Sequence, residues 1–374
     1  MRECASYFVL VFFVFLVFRE KYEYFFKNVF FVFSFLHSVF KPFIIMASLP
    51  WVEKFRPDRL QDIKGHQDVI QVLQKYGGIA STPHLLFYGP PGTGKTSTIL
   101  AMAKQFYGQN IQSMMIEINA SDDRGIDIIK DRVKNFCQSR SLFGSSVKLI
   151  ILDEADALTS DAQSALRRII ELYTKYVRFC LCCNYVGKIT PAIQSRCTRF
   201  RFEGISNESL KQKAKEIVMS ENIVIEDSAI DSILDLANGD ARRVINLLQV
   251  CHMATMGSDK KIDSEYVYRS AGAPLPVHIS EILENLLNES FEKSFNTIRS
   301  LVEKYGYSMA EVISAVSKLV LVVAEENHSF DLSIIFSELS NIEMTLSKGG
   351  SEFLSIGAVV SAFHVRDTNL NANP

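Results

Sequence analysis

The segment Gly89–Thr96, which reads Gly-Pro-Pro-Gly-Thr-Gly-Lys-Thr, constrains the fold of this chain more than any other. It fits the pattern Gly-x-x-x-x-Gly-Lys-[Ser/Thr] and lies between a short apolar run and a helical pattern. A strand that ends in such a turn and continues into a helix points backbone N–H groups and the positive helix end at an anion. The segment therefore predicts a phosphate-binding loop, and an ordinary glycine–proline turn is the alternative.

The fixed residues of this loop have distinct roles in binding a nucleoside triphosphate. Gly92 and Gly94 let the backbone approach the phosphates without a Cβ clash. Lys95 places a positive charge on the β- and γ-phosphates, and Thr96 offers a hydroxyl to Mg²⁺. The predicted ATP ligands in this segment are Gly89, Pro90, Pro91, Gly92, Thr93, Gly94, Lys95, Thr96 and Ser97.

The length and charge of the chain allow several domains and argue against binding of nucleic acid by bulk charge. Its 374 residues suffice for two or three domains, and the net charge is −2. Any DNA contact must come from a local basic stripe or from several subunits together. Three of the seven cysteines lie in an apolar stretch, where core packing is expected and a zinc site is not. Free thiols indicate a reducing compartment.

Residues 1–45 differ in composition from the rest of the chain and hold 13 of its 27 phenylalanines. The apolar run Tyr7–Phe18 resembles a signal-peptide core and is short for a membrane span, and Val29–Phe33 is shorter still. Because the sequence that follows does not look secreted, we favour Met46 as the true start, with residues 1–45 outside the functional fold. No membrane partner is expected.

The second decisive element is Val147–Glu154, whose apolar residues suit a central parallel strand buried on both faces. Two carboxylates end this segment, at the position where open α/β sheets place their ligands. We expect Asp153 to hold Mg²⁺ and Glu154 to polarise the attacking water. The alternative is that these acidic residues only stabilise a helix N-terminus.

Two further residues follow predicted strands. Asn184, after a buried strand, could sense the γ-phosphate or orient the water, although asparagine is also common in turns. Arg196 precedes the last predicted strand at the edge of the domain, and its spacing alone does not make it catalytic. Lys130 lies on a predicted helix with Asp127 and Asp131 nearby, where DNA contact and a solvated mixed-charge face are equally supported.

The remainder of the chain shows helical periodicity. Residues 204–270 predict a small helical bundle in which Asp240 caps a helix. Ala273–Pro276 predicts a linker, and the segment beyond it has helical patterns without chemical motifs. This last part predicts an α-helical domain for packing or assembly.

Together these motifs resemble the AAA+ ATPase module of the small subunits of eukaryotic replication factor C, the sliding-clamp loader. The matching segments are Trp51–Pro57, Gly89–Ser97, Asn119–Ile126, Asp153–Asp156, Cys183–Tyr185 and Ser195–Cys197. The resemblance implies an α/β P-loop AAA+ module, a parallel sheet flanked by helices, followed by a helical lid and an all-α collar domain. The expected domains are the extension 1–45, the nucleotide-binding domain 46–203, the lid 204–272 and the collar 273–374.

The resemblance also implies roles for residues outside the loop. Asn184 matches the first sensor of the γ-phosphate, and Arg242 matches the second sensor on the lid. Arg196 matches an arginine finger that reaches the ATP of a neighbouring subunit. With Lys95 and Glu154, Asn184 and Arg196 form the expected catalytic set. Further implied residues are the ATP ligands Val52 and Arg56 on a strap beside the nucleotide, and the DNA-backbone contacts Arg124 and Lys130.

The function implied by the resemblance is that of an ATP-dependent subunit of a heteropentameric clamp loader. Such a complex opens the sliding clamp and loads it on primer–template DNA during replication and repair in the nucleus. The expected cofactors are ATP and Mg²⁺, and the expected partners are other replication factor C subunits, the sliding clamp and primer–template DNA. ATP hydrolysis is expected mainly within the assembled complex.

Two other functions are compatible with the nucleotide-binding motifs. A different AAA+ motor, such as a helicase loader or a Holliday-junction translocase, would need its own DNA-reading module in the C-terminal part. The sequence there has no evident winged-helix pattern. A scaffold that binds ATP without hydrolysing it is the other alternative, and the intact Glu154 argues against it.

The start of the functional protein can be tested by size. Residues 1–45 of this 374-residue, 42.3 kDa chain account for about 5 kDa. We expect the endogenous protein to migrate on a western blot with a recombinant standard that begins at Met46. Migration with the full 374-residue standard would contradict this expectation.

Overall fold

The computed structural model describes residues 49–121, 132–137, 147–255, 261–326 and 332–370. The chain divides after Arg56 into two compact units. The described part of the first unit contains helix α1 (Trp51–Lys54), beyond which Arg56 pairs with Glu53 at 2.7 Å. The Phe-rich extension lies outside the described residues. Within those residues, no helix combines the length and the apolar character needed to cross a membrane.

The second unit begins with a five-stranded parallel sheet in the order β2–β3–β4–β1–β5. The strands are β1 Leu85–Tyr88, β2 Met115–Asn119, β3 Lys148–Asp153, β4 Val177–Cys183 and β5 Thr198–Arg201. The chain leaves β1 in the interior and crosses to β2 at the edge, so the strand order reverses beside β1. Ligands of open α/β sheets bind at the carboxyl ends of strands near such a reversal.

Helices cover both faces of this sheet. They are α2 Gln67–Lys75, α3 Lys95–Tyr107, α4 Ile111–Met114, α5 Ser160–Tyr173 and α6 Pro191–Gln194, and residues 132–137 are also helical. Alternate strand residues enter two separate apolar layers. Phe87 and Ile151 pack with α2 and α3, whereas Phe179 and Ile150 pack with α5. The predicted α/β P-loop class is therefore confirmed.

The cysteine-rich strand β4 contributes to both layers. Cys180 and Cys183 have the spacing Cys-x-x-Cys, but successive strand residues point to opposite faces of a sheet, so they enter different layers. Both are buried, as is Cys182, and burial raises the pKa of the Cys183 thiol to about 12. Core packing of these cysteines is confirmed. In the described residues, histidine, cysteine and carboxylate side chains form no cluster that could hold a metal ion.

Four helices follow the sheet and correspond to the predicted helical bundle: α7 Asn207–Ser220, α8 Asp227–Ala237, α9 Ala241–Thr255 and α10 Ser264–Ala271. Ser206 accepts a hydrogen bond from the backbone of Ser209 at the start of α7. Asp263 accepts one from Tyr266 at the start of α10. The sequence patterns did not predict α10, which is short and follows residues 256–260, outside the described part.

Five further helices complete the described chain: α11 Pro276–Asn288, α12 Phe291–Tyr305, α13 Met309–Glu326, α14 Leu332–Ser347 and α15 Glu352–Leu370. Their apolar faces form a core of their own that includes Ile282, Ile298, Val316 and Val360. The predicted linker is short, because α11 begins at Pro276. An all-α C-terminal domain is therefore confirmed.

Candidate nucleotide-binding site

The phosphate loop, residues 89–96, connects β1 to α3 and requires glycine for two different reasons. A Cβ at Gly89 would lie 1.8 Å from the carbonyl oxygen of Phe202, so no side chain fits there. Gly94 has φ +91°, a left-handed conformation that L-residues with a side chain rarely adopt, although a Cβ would meet nothing within 4 Å. Gly94 directly precedes Lys95, the first residue of α3, so the loop ends on a helix N-terminus suited to phosphate.

Lys95 is buried and fully hydrogen-bonded. Its ammonium group donates to the carbonyl oxygens of Gly89 at 2.7 Å and Pro90 at 2.8 Å, and to Oδ1 of Asn184 at 2.9 Å. These partners account for the three donors of the group. Burial lowers the pKa of Lys95 below its ordinary value. The contact with Asn184 brings the loop beside the residue that follows β4.

Thr96 and Asp153 meet at the carboxyl end of β3. The Thr96 hydroxyl donates to Oδ2 of Asp153 at 2.8 Å. Neighbouring oxygens in an octahedral Mg²⁺ shell, with metal–oxygen distances of about 2.1 Å, lie about 3 Å apart. Two hard oxygen donors at this separation therefore fit the predicted ion. The aspartate's other oxygen, Oδ1, accepts a hydrogen bond from the backbone of Glu154 at 2.9 Å, which fixes the carboxylate.

Glu154 is exposed and adopts a left-handed backbone conformation, with φ 51° and ψ 39°. Such a conformation costs roughly 1–2 kcal/mol for a residue with a side chain. The neighbouring Asp156 accepts a hydrogen bond from the backbone N–H of Tyr185 at 3.3 Å. The acidic segment is thereby joined to the turn that carries Asn184, and the Glu154 carboxylate is free to meet solvent.

The start of α9 packs directly on the phosphate loop. The backbone N–H of Ala241 donates to the carbonyl oxygen of Gly92 at 3.1 Å. A Cβ at Gly92 would lie 1.6 Å from Oδ1 of Asp240, so a side chain there would displace this carboxylate. The same oxygen accepts the backbone N–H groups of Arg242 at 2.8 Å and Arg243 at 3.1 Å. Asp240 thus caps α9 as predicted, but its contact with the loop was not anticipated.

Two predicted arginines lie outside this network of contacts. The Arg242 side chain is exposed, and only its backbone is placed near the loop, through Asp240. Arg196 pairs with Glu171 on α5 at 2.5 Å and donates to the carbonyl oxygen of Ala192 at 2.6 Å. These contacts of Arg196 lie on α5 and α6 and not at the phosphate loop of its own chain.

The remaining predicted site residues fall into three groups. Within the loop, Pro90 and Pro91 are exposed, and Thr93 is buried with its hydroxyl donating to the carbonyl oxygen of Pro90 at 2.9 Å. Ser97 is half-buried in the first turn of α3. The predicted strap residues Val52 and Arg56 belong to the first compact unit. The predicted DNA contacts Arg124 and Lys130 lie outside the described residues.

The sheet order, the phosphate loop and the paired Thr96 and Asp153 define a P-loop ATPase of the AAA class. Residues 85–205 match the model of the ATPase family associated with various cellular activities. Residues 274–362 match the model of the replication factor C C-terminal domain. The two matches cover the sheet domain and most of the C-terminal helices.

Relatives similar over most of the chain carry replication factor C names. Probable replication factor C subunit 5 of Dictyostelium discoideum is 46% identical and covers 87% of this chain and 94% of its own. Replication factor C subunit 5 of Homo sapiens is 42% identical, with coverages of 86% and 93%. Replication factor C subunit 3 of Schizosaccharomyces pombe is 43% identical, with coverages of 84% and 91%. This chain belongs to the replication factor C subunit family.

Solved structures with a related arrangement are more distant. The RuvB Holliday junction branch migration motor of Thermotoga maritima aligns with a TM-score of 0.48 at 18% identity. The alignment covers 71% of this chain and 91% of that one. A likeness at this level has no bearing on function.

Replacing Lys95 by alanine tests the nucleotide site. Because the substitution removes the buried ammonium group aimed at the loop, we expect the purified chain to bind a fluorescent ATP analogue about 100-fold more weakly, as for loss of a charged hydrogen bond. Lys104→Ala is the matched control, since Lys104 lies on the same helix and pairs with Asp58 at 2.6 Å in an exposed position. Unchanged affinity in the Lys95 variant would show that the site is wrongly assigned.

Proposed function

We propose that this chain is an ATP-dependent subunit of a heteropentameric clamp loader that opens the sliding clamp and loads it on primer–template DNA. The main support is the presence in one chain of the phosphate site and of a C-terminal domain of the replication factor C type. The names of the relatives agree with this function. We propose a nuclear location on the same basis.

The described C-terminal part argues against a different AAA+ motor with its own DNA-reading module. After Arg201, the described residues form helices and an isolated bridge between Ile225 and Ile262. A winged-helix module requires a small sheet, and none is present in the ranges 202–255, 261–326 and 332–370. The helices α11–α15 instead pack around a single apolar core of their own.

In the proposed ATPase, side chains from three strand ends act on one triphosphate. Lys95 would exchange one of its protein partners for a phosphate oxygen, while Asn184 would orient the γ-phosphate or the attacking water. Thr96 and Asp153 would hold Mg²⁺, which supplies charge neutralisation between the β- and γ-phosphates when bound. Glu154, with its carboxylate exposed beside Asp153, would accept a hydrogen bond from the attacking water and polarise it.

We propose that hydrolysis needs a second subunit. Arg196 is exposed and would reach the ATP of a neighbouring subunit, while a neighbour would complete the site at Lys95. Arginine fingers contribute roughly 10³–10⁵ in rate, so the isolated chain should be a poor ATPase. Arg242 would reach the γ-phosphate as the second sensor once its exposed side chain turns toward the loop. Val52 and Arg56 remain proposed ATP ligands.

Contacts with DNA are proposed for Arg124 and Lys130. Both are basic residues that follow β2 in the segment resembling the DNA-tracking region of clamp loaders. Contacts to phosphates position the duplex without reading its sequence. This mode agrees with the small net charge of the chain, because several subunits would share the binding.

Affinity purification tests the proposed assembly. We expect tagged protein spanning residues 46–374, purified from cells and examined by mass spectrometry, to bring down the other clamp-loader subunits in similar amounts. The same tag on an unrelated nuclear protein is the control. Recovery of this chain without any other replication factor C subunit would count heavily against the proposal.

The substitution Glu154→Gln separates an ATPase from a scaffold that only binds ATP. Removing the base leaves shape and loop contacts intact, so we expect ATP binding to persist and turnover at this site to fall by about 10²–10⁴-fold. The ATPase rate of the reconstituted complex should fall by the share that this site contributes. Glu203→Gln, at an exposed carboxylate paired with Arg201, is the control. Equal rates for the Glu154→Gln and wild-type complexes would favour the scaffold.

A further inference from the structure

Arg196 is held both at its backbone and at its guanidinium group. Its backbone N–H donates to the carbonyl oxygen of Ile193 at 3.0 Å, and Ile193 is buried in the apolar layer beneath α5. At the other end, Nη1 donates to the carbonyl oxygen of Ala192 at 2.6 Å, and Nη2 pairs with Oε1 of Glu171 at 2.5 Å. A long flexible side chain is thereby restricted to one direction.

The carboxylate of Glu171 serves two arginines. The same Oε1 lies 3.6 Å from Nε of Arg167, one helical turn earlier on α5. Arg167 therefore restrains Glu171 while Glu171 restrains Arg196. The three side chains are partly exposed, at 44%, 42% and 35%, so water screens the pairs and they contribute little to stability.

The N–H donors of Arg196 that its contacts with Ala192 and Glu171 do not use suit this side chain to binding a phosphate. A guanidinium group has five N–H donors. The contact with Ala192 uses one on Nη1, and Nη2 meets Glu171 as an ion pair. In the described part of the chain, Nε–H and at least one N–H on each terminal nitrogen are left for another acceptor. A phosphate matches this donor set in geometry and charge. The contact with Glu171 therefore orients the group without consuming its capacity to bind phosphate.

We infer that Glu171 is a positioning residue that holds Arg196 in the direction needed to reach the neighbouring subunit's ATP. The inference rests on the proposed in-trans role of Arg196. Glu171 itself contacts no nucleotide in this arrangement and acts through the guanidinium group. Arginine aimed at a transferring phosphate is effective only when its geometry is fixed beforehand, so loss of the restraint lowers the rate of hydrolysis more than it lowers ATP affinity.

The test compares ATP hydrolysis by reconstituted complexes that carry wild-type chain, Arg196→Ala, Glu171→Gln or both substitutions. The difference between wild type and Arg196→Ala defines the Arg196-dependent turnover. We expect Glu171→Gln to reduce the Arg196-dependent turnover about tenfold, with the KM for ATP unchanged. In the Arg196→Ala background, Glu171→Gln should have no further effect. A structural defect would instead lower turnover in both backgrounds and the melting temperature of the chain.

Glu265→Gln is the matched control, because Glu265 pairs with Arg269 between the same atoms at the same 2.5 Å in an exposed position on α10. This variant should retain the Arg196-dependent turnover. If Glu171→Gln also retains it while Arg196→Ala loses it, the inference is wrong and the role of Arg196 stands. If Arg196→Ala leaves hydrolysis unchanged, the in-trans role is wrong and the inference falls with it.

Discussion

One buried ammonium group connects the elements on which the candidate site depends. The three hydrogen bonds of Lys95 join the loop after β1 to the residue after β4, and the adjacent Thr96 joins the same helix to the end of β3. These strands are neighbours in the sheet, so their ends are already close before any side chain makes a contact. The sheet brings these strand ends together, and the first turn of α3 places Lys95 and Thr96 in hydrogen-bond contact with the residues there.

Local sequence patterns were sufficient for most of the fold. The range 204–270, predicted as a small helical bundle, contains α7, α8, α9 and nearly all of α10, because amphipathic patterns are strong there. Strands buried on both faces were recognisable as continuous apolar runs between turn residues. The main difference is also local: α10 is too short to show a periodic pattern of its own. Helices of this kind depend on tertiary contacts that periodicity does not record.

The candidate site was predictable in its chemistry and less so in its contacts. Motif spacing placed Lys95, Thr96 and Asp153 in one site, because the carboxyl ends of parallel strands meet at the same edge. The ion pair between Glu171 and Arg196 has no such signal, since it joins the end of a helix to a turn far along the chain. The contact of Asp240 with Gly92 likewise joins the helical bundle to the phosphate loop, and neither local sequence predicts it. These contacts depend on how elements pack, which a single sequence specifies only through the whole fold.

The close approach of Phe202 to Gly89 has a mechanical consequence. The chain leaves the sheet at Phe202, whose N–H donates to Tyr88, and then enters the helical bundle; the bundle returns to the loop where Ala241 donates to Gly92. The bundle is thus joined to the phosphate loop at two points only a few residues apart, and Lys64 before α2 also pairs with Glu216 on α7 at 2.9 Å. Because the chain enters the bundle and returns from it beside the same loop, a shift of the loop backbone moves both of these attachment points together.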